Sequence, residues 1–166
     1  MSRAFVALGS SIEPAARMAA AARALKARFA DARFSTCYRN APFGFEGPDF
    51  INAVVEFSTA LPVPALLAVL HEIEAQCGRG RDDPKWAPRA MDLDLLLYDD
   101  LVASAPGFTL PRPDLLERVY MLGPLAELAS RLLYINVPPG PPPTATPIDY
   151  LAAFDDDARP HGDKKK

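Results

Sequence analysis

The stretch Arg89-Ala-Met-Asp-Leu-Asp-Leu-Leu-Leu-Tyr98 decides the fold. From Met91 to Tyr98 it is apolar, short and free of Gly and Pro, which predicts a strand. Residues two apart on a strand share a face. Asp92 and Asp94 are therefore expected to point together, with Leu96 and Tyr98 continuing their face. Leu93, Leu95 and Leu97 are expected on the other.

Working outward, this strand closes a regular alternation. Arg3 to Leu8 alternates and meets Gly9-Ser10-Ser11, a strand ending in a turn. Pro14 opens a helix running to about Ala30, with Met18, Ala22, Leu25 and Phe29 at helical spacing. Phe34 to Arg39 reads as a strand, Asn40 to Asp49 as a Pro- and Gly-containing loop, and Phe50 to Thr59 as a strand. Pro62 to Gly78 is a second helix with Leu66, Leu67, Leu70 and Ile73 on one side, followed by a charged loop to Pro88. The order βαββαβ is the ferredoxin-like split arrangement, an α+β fold with helices on one face of an antiparallel sheet. Short C-terminal helices are expected around Pro113 to Glu117 and Pro124 to Leu128. The run from Val137 to Pro147 cannot be a helix or a central strand, because proline lacks the donor, and it is expected as an extended surface connector. The organisation expected is one domain over residues 1–136 and a Pro-rich extension and tail over 137–166, packed on that domain or trailing from it.

The 166 residues are 49% hydrophobic and 23% charged, with a formal charge of −3 and a pI near 5.4. That balance supports a real core and argues against a general nucleic-acid binder. No apolar run approaches the roughly 18 residues of a membrane helix, and the first residues lack an apolar leader core. A cytoplasmic protein without a membrane partner is expected. Cys37 and Cys77 have no metal-binding spacing and are expected as free thiols, and His71 and His161 match no zinc pattern.

Two neighbouring carboxylates among apolar residues repel each other and need compensation. A divalent cation satisfies them, and Mg²⁺ takes one or two carboxylates plus waters and phosphate oxygens. Pairing with nearby arginines, or exposure at a strand end, satisfies them too. The preceding loop favours the cation. It carries Arg79, Arg81, Lys85 and Arg89, whose forks and charges match phosphate oxygens, and Trp86, which offers a flat face. Paired acids beside such cations suit a metal-bridged polyphosphate. No Gly-x-x-x-x-Gly-Lys-Ser/Thr loop is present, which argues against a P-loop kinase. A second cluster, Tyr38-Arg-Asn-Ala-Pro-Phe-Gly44 followed by Phe50-Ile-Asn52, can sandwich and read a flat heterocycle, or serve as core and strand cap. A third, Thr109 to Tyr120, contributes Arg118 and Tyr120, which either close a pocket or cover the core.

Together these clusters resemble the 6-hydroxymethyl-7,8-dihydropterin pyrophosphokinase family of folate biosynthesis, from about Phe5 to Leu128. The family's Tyr-Arg-Thr-x-Pro-x-Gly is similar to Tyr38 to Gly44, and its aromatic-x-Asn to Phe50-Ile51-Asn52. Its Gly-Arg…Trp-x-Pro-Arg…Asp-x-Asp run resembles Gly78 to Asp94, and its Pro-His-Pro…Arg-x-aromatic run resembles Pro111 to Tyr120. The resemblance implies a transferase that moves pyrophosphate from ATP to the pterin hydroxymethyl group and releases AMP. It implies two Mg²⁺ ions on Asp92 and Asp94, phosphates on Arg79 and Arg89, and Trp86 closing from its loop. It places His71, Glu74, Arg112 and Arg118 on the nucleotide side. Phe50 and Tyr120 would stack on the pterin and Asn52 read its edge, with Asn40, Phe43 and Gly44 lining the same pocket. A monomer binding two small molecules is expected. The departures are Arg112 for the family histidine, Ser11 for an asparagine, Asn40 for the threonine, and acidic Asp82 and Asp83 in the loop. Through them the resemblance leaves a second reading, a divergent pterin- or nucleotide-binding paralogue with reduced or no transfer activity.

Overall fold

A computed structural model describes residues 1–42, 46–78, 91–115, 117–129 and 146–148. Strand β1 (Ser2–Ser10) leads to helix α1 (Pro14–Arg28), then to the short strands β2 (Arg33–Phe34) and β3 (Cys37–Asn40). Strand β4 (Phe50–Thr59), helix α2 (Val63–Gly78) and strand β5 (Asp92–Tyr98) follow. Strands β6 (Ala103–Ala105) and β7 (Phe108–Leu110), helix α3 (Val119–Leu128) and strand β8 (Thr146–Ile148) complete the order. The main sheet runs β5-β1-β4-β3-β8, and β2 also pairs β4. Its described pairings are antiparallel. The α+β, ferredoxin-like expectation holds.

The two faces of the sheet are covered differently. Ala4, Val6 and Leu8 of β1, Ile51, Ala53, Val55 and Phe57 of β4, and Leu93 and Leu95 of β5 turn one face toward α1 and α2. Met18, Ala21, Ala22 and Leu25 of α1 meet Leu66, Leu70 and Ile73 of α2 over it, all nearly inaccessible. Phe29 stacks on Phe57 with ring centroids 3.9 Å apart. Burying this many large apolar side chains, each worth about 1.5–3 kcal/mol, is what holds the layers together. The opposite face carries Phe5, Ala7, Val54 and Leu96, and α3 covers it with Met121, Leu125 and Ala129.

Four details differ from the sequence reading. The first lies in β5. Val6 pairs Leu95 while Phe5 pairs Leu97, so Leu96 is an extra residue in the ladder. A bulge of this kind resets the alternation. Leu97 therefore packs on the α3 side and Tyr98 on the α1–α2 side, opposite to the expectation. Tyr98 uses its position to donate to the Leu61 carbonyl at 2.6 Å, just before α2.

The second is the strand expected from Phe34 to Arg39, which is split. Ser35 donates its N–H to Val54 O and accepts the Val54 N–H on its own hydroxyl, interrupting the ladder between β2 and β3. The third is α3, which begins at Val119 and contains Pro124 in its interior. Proline cannot bond back to the Tyr120 carbonyl. The buried series Met121, Leu125, Ala129 nonetheless holds the helix continuous. Residues around Pro113 to Glu117 form turns, with Leu115 N bonded to Arg112 O and Glu117 N to Asp114 O. The fourth is the β6–β7 hairpin, turned by Pro106 and by Gly107 at φ +96°.

Within the Pro-rich run, Thr146 and Pro147 lie in β8, paired to β3 at the end of the sheet order. An edge is where a strand tolerates proline. Glu56 is 2% exposed and is balanced by Arg3 at 3.0 Å and by Arg33. Arg33 also donates to the Leu128 carbonyl, tying the end of α3 to the sheet. Glu127 accepts from Tyr38 Oη and from the Thr36 N–H, tying α3 to β3. Cys37 and Cys77 are free and buried, as expected. Among the described residues, no helix is long and apolar enough to cross a membrane.

Candidate active site

The sheet register builds the site. Asp92 of β5 lies beside Gly9 of β1, Gly9 beside Asn52 of β4, and Asn52 beside Tyr38 of β3. In the neighbouring row, Asp94 lies beside Ala7. All these positions share the α3 face. Strand β1 thus contributes two small residues, Gly9 and Ala7, between the carboxylates and the amide. A well forms over them, closed by Tyr120 and Met121 of α3, by Arg112, and by Phe50 and Asn40 at its rim. Its volume is about 170 Å³.

Gly9 leaves room for this packing. A Cβ there would come within 2.9 Å of Asn52 Oδ1. Asn52 is in turn oriented by Asn40. The Asn40 Nδ2 donates to the Ala41 carbonyl at 3.1 Å, which leaves its Oδ1 to accept from Asn52 Nδ2. An oriented amide beside aromatic rings can read the edge of a flat heterocycle.

Asp94 and Arg112 also line a second hollow, at the free edge of β5 between α2 and the β6–β7 hairpin. Leu67 and His71 of α2, Phe108, Thr109 and Leu110 of β7, and Asp114 complete its wall. Two contacts finish the β5 edge. Glu74 Oε1 accepts the Leu93 N–H at 2.7 Å, and the Arg112 N–H donates to Leu96 O at 3.0 Å.

Arg112 connects the hollows. Its Nη1 lies 3.1 Å from Asp94 Oδ1, and its Nε donates to Asp114 Oδ1 at 2.6 Å. Burial works against its positive charge, but the bonds and charges of Asp114 and Asp94 outweigh this and raise its pKa. Asp114 is desolvated yet held below the usual carboxylate range by Arg112. Tyr120 is pushed up, first by burial, and stays a neutral phenol. Arg118 sits at the start of α3, with Nε 3.8 Å from Asp114.

Of the residues singled out in the sequence, the structure therefore gathers Asp92, Asp94, Arg112, Asn40, Phe50, Asn52 and Tyr120 around the first well. It places exposed His71 on the second hollow and makes Glu74 a backbone acceptor. Arg118 lines neither. Phe43, Gly44, Arg79, Trp86 and Arg89 lie outside the described residues. Sequence reasoning missed Gly9, Ala7 and the hairpin. The dipeptide Pro106-Gly107 was the available signal for the last.

Two hollows meet at one carboxylate with a guanidinium at their junction, so two ligands can be held against the same charged pair. Similarity to known proteins puts this site in the class of the pyrophosphate-transferring kinases. Residues 5–130 match the family model described as 7,8-dihydro-6-hydroxymethylpterin-pyrophosphokinase (HPPK). Relatives named 2-amino-4-hydroxy-6-hydroxymethyldihydropteridine pyrophosphokinase agree with this match. The Synechocystis protein is 40% identical over 76% of this chain and 66% of its own length. The Methylorubrum extorquens protein is 39% identical, over 80% of this chain and 86% of its own. The Bacillus subtilis protein is 35% identical, over 78% and 79%. The chain belongs to the HPPK family, whose members are pyrophosphokinases.

Proposed function

We propose that this chain transfers the pyrophosphoryl group of ATP to the hydroxymethyl group of 6-hydroxymethyl-7,8-dihydropterin and releases AMP, as a monomer in the cytoplasm. The observation that carries this reading is the junction: Asp94 and Arg112 line both hollows. A pterin in the well over Gly9 and a nucleotide in the edge hollow would meet there.

The residues divide the work. Phe50 and Tyr120 flank the pterin ring, and Asn52, oriented by Asn40, bonds its edge. The family resemblance assigns Phe43 and Gly44 to pterin binding as well. The well mixes apolar and aromatic walls (Leu8, Phe50, Tyr120, Met121) for the ring with Asn40, Asn52, Asp92, Asp94 and Arg112 for its polar groups. His71 borders the nucleotide hollow, while Glu74 acts from behind by fixing the β5 edge. Arg112 holds phosphate oxygens, with Arg79, Arg89 and Arg118 contributing further positive charge and Trp86 covering the nucleotide.

Asp92 and Asp94 fit a hard divalent cation. They are two carboxylates, two residues apart on one strand face, lining a well. Two carboxylates side by side are the kind of donor pair that Mg²⁺ takes together with water and phosphate oxygens. When bound, two Mg²⁺ ions would supply charge neutralisation across the triphosphate.

The test is incubation with ATP, Mg²⁺ and the pterin alcohol while AMP is followed. AMP release that requires the pterin and falls roughly 10²- to 10³-fold in Asp94→Ala is the expected result. Pterin binding by calorimetry without AMP release would instead indicate a binding paralogue. Absence of pterin binding would sink both.

A further inference from the structure

Asp94 already has a cation. The Arg112 guanidinium contacts it through Nη1 at 3.1 Å, on an oxygen that a metal ion would use. The same guanidinium is held from its other edge by Asp114, with Nε at 2.6 Å and Nη2 at 3.5 Å. Its backbone is fixed by the bond from Arg112 N to Leu96 O. Arg112 is therefore tethered twice and reaches Asp94 with one remaining nitrogen. Asp94 can lose that nitrogen while Asp114 keeps the rest. Both residues face the hollow bounded by His71 and the β6–β7 hairpin, so a released Nη1 has a phosphate-sized space before it.

A divalent cation and a guanidinium on one carboxylate oxygen repel each other, so the two compete. A phosphate oxygen resolves the competition, because a guanidinium pairs with it as well as with a carboxylate. We propose that Arg112 is a tethered counter-ion of Asp94, which withholds this carboxylate from divalent metal until a polyphosphate takes the guanidinium in exchange. Metal and nucleotide then load together, and metal alone binds weakly. Arg112 is in this sense a positioning residue, and the inference rests on the reading of Asp92 and Asp94 as metal ligands.

Mn²⁺ binding to the nucleotide-free full chain, followed by electron paramagnetic resonance, tests this without turnover. Arg112→Gln is expected to bind Mn²⁺ about two- to fivefold more tightly than the unaltered protein, the scale of one partly exposed ion pair. Arg112→His, which keeps a polar ring but is too short to span Asp114 and Asp94 together, is expected to change in the same direction. By reciprocity, the enhancement of α,β-methylene-ATP affinity by Mn²⁺ should change by the same factor. Circular dichroism melting of each variant establishes that it is folded. If both variants bind Mn²⁺ as the unaltered protein does, while Asp94→Asn weakens it, the counter-ion role is overturned and the metal site stands. If Arg112→Gln gains Mn²⁺ affinity and the gain survives in Arg112→Gln/Asp94→Asn, the carboxylate released is not Asp94 and both readings fall.

Discussion

One sheet presents two very different surfaces. The side under α1 and α2 is apolar from Ile51 to Phe57 of β4, with Ser10 and Thr59 buried as polar groups at its ends. The side under α3 is apolar only where Phe5, Val54 and Leu96 meet Leu125; toward Gly9 it turns to Asn52, Asp92 and Asp94. The same three strands build both. The dry side is dense with interlocking volume, whereas the other leaves small residues between polar ones and so leaves space. Rigidity on one side is what allows a well on the other to keep its shape.

The comparison can be broken most forcefully from the dry side. Phe57→Ala removes a fully buried ring and its stack on Phe29, and should cost about 3–5 kcal/mol in denaturant unfolding. Asp94→Ala should do the reverse. Its unfolding midpoint should stay close to that of the unaltered protein, while AMP release falls roughly 10²- to 10³-fold, the scale of losing one electrostatic stabiliser. An equal loss of stability in both variants would erase the distinction between the faces.

Gly9→Ala lies between these limits. The added methyl meets Asn52 Oδ1 at 2.9 Å, with an overpacking cost of about 1–3 kcal/mol. The pterin KM should rise more than the ATP KM, and an equal rise in both would remove Gly9 from the pterin well. A further effect, confined to alkaline pH, concerns the dry core's own titration. Burial, then the charge of Glu127, pushes the Cys37 thiol up to about 12. A raised native value means stability that is intact below the unfolded thiol pKa of about 8.5 and is lost as pH rises toward the native value. Unfolding free energy should fall by at most about 1.4 kcal/mol per pH unit over that window, and Cys37→Ala should flatten the slope. A slope unchanged in Cys37→Ala would place the titrating group elsewhere.

The elements were largely legible because their periods are simple. Phe50–Thr59 reads as a strand from its β-branched and aromatic content, and it is one. Both long helices announce themselves through Pro14 and the leucines of α2. The Leu95-Leu96-Leu97 run hid the bulge, because three identical residues look the same in either phase of the alternation. Ser35 hid a break in the ladder, since its hydroxyl substitutes for backbone only once the register is known. In the site, the pairing of Asp92 with Asp94 on one face was a local property and could be read. The seat of Arg112 on Asp94 and the narrowness of Gly9 beneath Asn52 come from contacts distant in sequence. No local pattern encodes either.

The bulge at Leu96 has a consequence for how this strand can vary. By inserting one residue, the chain divides β5 into two separately addressed modules. Upstream, substitutions at the Asp92 and Asp94 positions alter chemistry without reaching Tyr98 and its grip on the Leu61 carbonyl. Downstream, Leu97 and Tyr98 can drift to retune the packing of α3 and the entry of α2 without turning a carboxylate away from the well. An unbulged strand would turn Leu97 to the α1–α2 side and Tyr98 to the α3 side. The extra residue therefore lets one strand seat two carboxylates in the well and still anchor the entry of α2 from the opposite face.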